Sequence, residues 1–306
     1  MPKDKIIFLV GPTASGKSET AVYLAKKIGA EIISCDSMQV YRGMDILSSK
    51  PSAALRKAAP HHLLDIVSAQ SEYNVSRFRK EALKKIREIL KKGKLPFLVG
   101  GTGLYMTILI DGIFDEKPAD KAIRERLYKQ VEKFGSEFIY KKLEKIDPQA
   151  AAKIHPHDAK RIIRALEVFQ TTGKPISLLQ KQRKGLAQDY EVKIFCLNLP
   201  RQKLYQRIEK RVEQMFKQGL IKEVKKLLKL KLSRTAGFAI GIKELKGYFD
   251  GEYDLERAEE LMKLNTCHYA KRQLTWFRKD KRIEWINLNG KDKPQEVATK
   301  LWKKLS

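Results

Sequence analysis

The order of apolar and polar residues divides the chain into short hydrophobic runs separated by amphipathic stretches. IIFLV (Ile6 to Val10), EIISC (Glu31 to Cys35), PFLVGG (Pro96 to Gly101) and KIFCLNL (Lys193 to Leu199) read as buried strands. Between them, SRFRKEALKKIREILKKG sets Phe78, Ala82, Ile86 and Ile89/Leu90 on one helical face. Strands that are apolar on both faces, alternating with helices, predict an α/β fold with a mostly parallel sheet. The middle differs. From about Lys117 to Gln188 the period is helical, with no convincing strand. Leu127, Val131, Phe134 and Phe138 fall at i, i+4, i+7 and i+11, which predicts one helical face. HPHDAKRIIRALEVFQTTGKP reads as a capped helix, with Asp158 as N-cap, Gly173 as stop and Pro175 beyond. The α/β pattern resumes at Lys193. A long basic helix from Gln202 to Leu230 follows, then a basic helical C-terminal region ending in IEWIN. The expected organisation is a sheet-based core, residues 1–116 and 189–306, interrupted by an all-helical insertion, residues 117–188.

Composition adds a partner class. The 306 residues are 42% hydrophobic, enough to bury a core. Lys and Arg number 63 against 36 Asp and Glu, a formal charge of +27. That excess exceeds what solubility needs and points to a polyanion, nucleic acid before a membrane surface. A lysine-rich surface of a heat-adapted protein would give the same count. Cys35, Cys196 and Cys267 are scattered and form no CxxC pair, so neither a disulfide framework nor a zinc cluster is expected. His61, His62, His155, His157 and His268 give no ligand spacing. The opening MPKDKIIFLVGP has too short an apolar run for a signal-peptide core, and no stretch approaches the ~20 residues of a membrane span. A cytoplasmic protein with no membrane partner is expected.

GPTASGKS, Gly11 to Ser18, completes the pattern G-x-x-x-x-G-K-[ST] between a strand and a helix. Gly11 and Gly16 let the backbone wrap phosphate oxygens, with Thr13, Ala14 and Ser15 between them. The successive N–H groups and the helix N-terminus face the anion. Lys17 adds a mobile positive charge, and Ser18 can ligate Mg²⁺. Asp36, in SCDSMQVYRGMDI, would emerge at the carboxyl edge of the sheet, where open α/β sheets bind ligands. There it could ligate a metal or accept a proton; it could equally be a turn residue. The third strand ends in LVGGTGLY, which offers close backbone approach and the Thr102 hydroxyl where nucleotide hydrolases carry an acid. That substitution argues against an ordinary ATPase or GTPase, although the cradle alone scans as ATP-binding.

GPTASGKS, DSMQVYRGMDI, GGTGLY, HPHDAKRIIRALEVFQTTGKP and YAKRQLTWFRKDKRI, in this order from Ile6 to about Asn287, resemble the tRNA dimethylallyltransferases, also called tRNA isopentenyltransferases. The resemblance implies transfer of a dimethylallyl group from dimethylallyl diphosphate to the N6 amine of the adenosine 3′-adjacent to the anticodon. It also implies that Asp36 is the general base and, with Ser37, Met38 and Gln39, contacts the target nucleotide. Thr102 and Arg211, in YQRIEKRVEQM, would join the cradle in stabilising departing diphosphate, with Mg²⁺ on Ser18. The insertion would grip the anticodon stem-loop through Arg124, Lys160, Arg161 and Arg164. The C-terminal region would bring Lys271, Arg272, Gln273, Trp276 and Arg278 to the RNA. Trp276 and Phe277 could equally be core residues. The chain departs from its relatives at Glu213, where many have Asp, at Ile242, where Tyr is usual, and at Cys267, where Arg is usual. A monomer is expected, since RNA already has a dedicated surface. Rival readings are a small-molecule kinase, prenyl transfer to free AMP or ATP, and a nucleotide-gated RNA-binding protein. The first leaves the basic insertion without a role, the second the RNA-sized basic surface, and the third Asp36 and Thr102.

Overall fold

The computed structural model describes residues 4–114 and 120–305. By internal contacts the chain forms two compact units, Met1–Ile110 with Asp189–Ser306, and Asp111–Gln188. The boundary expected between residues 116 and 117 lies outside the described residues.

The first unit is built on a six-stranded, wholly parallel sheet: β1 (Lys5–Val10), β2 (Ala30–Ser34), β3 (His61–His62), β4 (Leu95–Gly100), β5 (Glu191–Asn198) and β6 (Ile283–Asn287), in the order β3-β2-β4-β1-β5-β6. Ile6 to Leu9 are completely buried, which requires cover on both faces of the sheet and explains the unbroken apolar run. Helices Lys17–Ile28 and Val75–Lys91 have the apolar faces expected, the second burying Phe78, Ala82, Ile86 and Ile89. The α/β class and the parallel sheet stand as expected.

Two strands were not evident from periodicity. IEWIN, placed in a helical region by its neighbours, is edge strand β6. It buries Ile283 and Ile286 and exposes Glu284, too short a pattern to announce a strand beside basic helices. His61 and His62 form β3, a strand of two residues pinned by one carboxylate. Glu31 of β2, almost fully buried, receives His62 Nε2 at 2.7 Å and Lys94 Nζ at 2.9 Å. Burial alone would raise the Glu31 carboxyl, but the hydrogen bonds from Lys94 and His62 prevail and hold it at about 2.

Two expected helices are each divided by a glycine. The segment from Gln202 to Leu230 is two helices, Arg201–Lys217 and Leu220–Leu228, separated at Gly219 with φ of 101°. In the second unit, Gly135 (φ 79°) separates Lys121–Phe134 from Ser136–Ile146. Leu127 is buried, whereas Phe134 and Phe138, on different helices, are half-exposed with ring centroids 4.8 Å apart. The helix Ala159–Thr172 has its N-cap at Asp158, which accepts from the Arg161 N–H, and its stop at Gly173 in the left-handed conformation.

A buried carboxylate organises this helical unit. Glu167 accepts Arg124 Nε and Nη2, both at 2.9 Å, and Arg164 Nη1 at 2.7 Å. Burial works against its ionisation, but the two arginines outweigh it and hold the carboxyl below its ordinary value. Arg124 and Arg164 are therefore structural counter-ions here. Removing one side of a buried pair strands the other charge. Glu167→Ala should lower stability by about 3 kcal/mol in urea unfolding. Arg124→Ala should cost less, since Arg164 remains; equal losses would show that the three groups do not act as one cluster.

Candidate active site

The parallel sheet delivers three strand ends to one edge. β1 runs into the loop Gly11–Ser18, β2 into Asp36, and β4, between them, into Gly101 and Thr102. Their approach is tight: a Cβ on Gly100 would lie 2.0 Å from the Cys35 carbonyl oxygen. Above this edge opens a cavity of about 910 Å³ lined by Thr13 to Ser18, Asp36 to Gln39, Gly101, Arg211 and Gln273, with further residues from the 45–56 loop.

The cradle is preorganised for an anion. Gly16 is the N-cap of helix Lys17–Ile28 in a left-handed conformation (φ 90°) and caps it with no side chain, so the first-turn N–H groups remain available. Lys17 Nζ donates to the carbonyls of Gly11 (3.0 Å) and Pro12 (2.6 Å). Burial, then the nearby Arg211 charge, pulls its pKa down to about 8, with Asp36 opposing. Arg211 is also held below its ordinary value by burial, again opposed by Asp36. It donates to Ser49 Oγ (2.9 Å) and Thr13 Oγ1 (3.3 Å) and has no carboxylate partner among the described residues. Two partly buried cations thus share the cavity wall with a helix N-terminus that has no side-chain cap. The Ser18 hydroxyl makes no hydrogen bond among the described residues, and no group of three or more His, Cys, Asp or Glu among them could hold a metal. A lone free hydroxyl beside a phosphate cradle suits Mg²⁺, which keeps several waters and takes its remaining oxygens from substrate phosphates.

Asp36 acts as both a turn residue and a free acid. Its Oδ1 accepts the N–H of Met38 (2.8 Å) and Gln39 (3.3 Å), while Oδ2 has no hydrogen-bond partner among the described residues. The Ser37 N–H donates to Thr102 Oγ1 at 3.1 Å, joining the β2 and β4 ends. Ser37, Met38 and Gln39 line the cavity.

The C-terminal residues separate into two groups. Gln273 is buried and acts as a strut: its Oε1 accepts the Thr13 N–H and its Nε2 donates to the Gly101 carbonyl, both at 2.9 Å. Trp276 packs on Gly103, where a Cβ would meet its ring at 2.3 Å, and donates to Thr107 Oγ1 at 3.3 Å. Phe277 is core. Lys271, Arg272 and Arg278 are exposed, and Arg272 also lines the cavity. In the helical unit, Lys160 and Arg161 are exposed, Arg161 pairing with Asp158 at 3.2 Å. Of the departures, Glu213 pairs with Lys263 at 2.9 Å, while Ile242 and Cys267 are buried.

Three cavity residues escaped the sequence reading. Tyr269 is half-buried on the cavity wall; desolvation, then the Asp36 charge, raises its phenol, against hydrogen bonding to Thr102 and Gln273. It sits one turn before Gln273 on helix Leu255–Phe277, and that i, i+4 polar pair was the available signal. Arg207, one turn before Arg211, lines the cavity beside Gly16. Ser49 touches Arg211 from a loop and carries no periodic signal.

Similarity to known proteins agrees with this geometry. A family model described as IPP transferase matches residues 39–280, and one described as isopentenyl transferase matches residues 4–66. A protein from Geotalea uraniireducens named tRNA dimethylallyltransferase 2 is 45% identical over 303 residues, covering 97% of this chain and 95% of that one. The crystal structure of the full-length tRNA isopentenylpyrophosphate transferase from Bacillus halodurans superposes with a TM-score of 0.72 at 42% identity, covering 99% of this chain and 97% of that one. A eukaryotic dimethylallyltransferase acting on tRNA gives a TM-score of 0.81 at 31% identity, over 94% of this chain and 74% of that one. With the phosphate cradle, the acid beside it and the helical unit all inside the matched span, the chain belongs to the tRNA dimethylallyltransferase family.

Proposed function

We propose that the protein transfers a dimethylallyl group from dimethylallyl diphosphate to the N6 amine of the adenosine 3′-adjacent to the anticodon of tRNA. The observation that carries this reading is the pair of partly buried cations on the cavity wall, Lys17 and Arg211, without a carboxylate partner among the described residues, beside a carboxylate oxygen of Asp36 that has no hydrogen-bond partner among them. Positive charge partly withdrawn from water and left uncompensated by the protein favours a polyanionic ligand.

The chemistry divides among named groups. The adenine N6 lone pair is delocalised into the ring, so the reaction depends on the donor. As the N6–C1 bond forms, the C1–O bond breaks and its electron pair leaves with diphosphate. The Gly11–Ser18 loop, Lys17 and Arg211 stabilise that developing charge, while the Thr102 hydroxyl, which is not on the cavity lining, accepts the Ser37 N–H and supports the turn that carries Asp36. Bound Mg²⁺, held by Ser18 and diphosphate oxygens, would add Lewis-acid stabilisation. Asp36 Oδ2 takes the N6 proton; its turn bonds at Oδ1 keep the carboxylate oriented. The base must leave its stack to reach the cavity. Exposed Lys160, Arg161, Lys271, Arg272 and Arg278 supply the phosphate contacts. No described helix is long and apolar enough to cross a membrane.

Incubation with labelled dimethylallyl diphosphate, Mg²⁺ and either tRNA or AMP tests this directly. Label is expected on tRNA; label on AMP alone, or on neither, sinks the reading. Asp36→Asn should still bind tRNA but turn over at least about a hundredfold more slowly. The logarithm of the affinity for tRNA should fall linearly with log salt; a flat response would separate the basic surface from RNA.

The depressed Lys17 pKa gives a further signature. An anion beside Lys17 raises it from about 8, so binding near neutrality changes little, whereas binding at about pH 8.5 takes up protons. Calorimetry with dimethylallyl diphosphate in two buffers of different ionisation enthalpy should register that uptake, and Lys17→Met should abolish it. A wild-type heat independent of buffer would mean that Lys17 does not meet the diphosphate.

A further inference from the structure

Residues 41–51 form a loop with one strained backbone position. Ser49 has φ of 49°, a left-handed conformation that a non-glycine residue keeps only where its surroundings impose it. They do so from two sides. Glu223, on helix Leu220–Leu228, accepts the N–H groups of Asp45, Ile46 and Leu47 at 3.1, 3.0 and 2.8 Å. Lys50, its side chain buried, donates to the Tyr41 carbonyl at 2.7 Å and pairs with Asp45 at 2.9 Å and with Asp65. Within the loop, the Ser49 N–H donates to the Ile46 carbonyl at 2.9 Å. Gln39 Nε2 reaches the Ser49 carbonyl at 3.4 Å.

The clamped loop presents the Ser49 hydroxyl to Arg211, whose Nε donates to it at 2.9 Å. The only other hydrogen bond of that guanidinium among the described residues goes to Thr13 Oγ1, in the cradle itself. Both partners are neutral. A carboxylate in place of Ser49 would hold Arg211 more strongly but would also neutralise it and compete with an anionic ligand. A hydroxyl fixes the plane of the guanidinium and leaves its charge uncompensated, which is what preorganisation for a diphosphate requires.

We propose that Ser49 is a positioning residue for Arg211: the strained loop holds its hydroxyl so that the guanidinium is fixed toward the phosphate cradle before the ligand arrives. This rests on Arg211 neutralising diphosphate in the proposed reaction.

Ser49→Gly separates positioning from stability, because glycine removes the hydroxyl and relieves the left-handed φ. Its melting temperature should equal or exceed that of wild type. Its affinity for inorganic diphosphate, read by calorimetry, should fall about tenfold. In an Arg211→Lys background, which lacks the Nε donor, Ser49→Gly should cause no further loss. Wild-type affinity in Ser49→Gly, or the same fold loss in both backgrounds, overturns the proposal. A wild-type protein that binds diphosphate with this coupling yet does not label tRNA would refute the transferase reading and leave the role of Ser49 standing.

Discussion

Two partly buried positive charges without a carboxylate partner among the described residues set the terms for the whole sheet edge. Lys17 and Arg211 are satisfied by carbonyls and hydroxyls, which meet their hydrogen bonds but not their charge. Desolvation is registered in both, most clearly in Lys17 at about 8. Asp36 is an opposing charge felt by both, yet one of its oxygens is committed to its own turn. The remaining structure serves to keep this imbalance in place. Parallel strands β1, β4 and β2 bring three loops together, Gly100 lets β4 pass against Cys35, and Gln273 ties the cradle to the β4 turn. Buried apolar strands hold this uncompensated charge at the sheet edge.

Much of that site is written in consecutive residues, and those parts were legible. The Gly11–Ser18 spacing is a contiguous code for a backbone shape, and the position of Asp36 follows from where an apolar run stops. Gln273 was legible only as a polar residue in a basic stretch. Its neighbours Lys271 and Arg272 point outward, while Gln273 lies on the buried side with Ala270 and Phe277. The helix carrying it mixes polar cavity contacts into its inner face, so amphipathicity gave no warning. Ser49 was not legible at all, because its role comes from a clamp by Glu223, far along the sequence, and from a φ that Ser-Ser does not announce.

The element boundaries that shifted share one cause. A glycine at positive φ turns the chain sharply without disturbing the hydrophobic count on either side. Gly219 and Gly135 each sit where the apolar period runs through the break by coincidence, so two helices read as one. The missed strands are the reverse case: β3 and β6 are edge strands whose existence depends on a neighbour, Glu31 for one and β5 for the other. Local pattern cannot encode a partner supplied by tertiary structure.

The charge of +27 also divides once contacts are known. Arg124 and Arg164 are engaged by Glu167, and Arg161 shares its charge with Asp158. Lys160, Lys271, Arg272 and Arg278 are exposed and have no carboxylate partner among the described residues. Only cations of this second kind release counterions from a phosphate backbone at full strength, because the first kind would have to break an existing pair to do so. The arginines of the insertion are thus tied to Glu167 and Asp158, while Lys160 and the C-terminal cations leave their charge unpaired among the described residues. The excess of basic residues is then a sum of two parts. One is internal, maintaining a helical unit around a buried carboxylate; the other is an exposed set of cations with no carboxylate partner among the described residues.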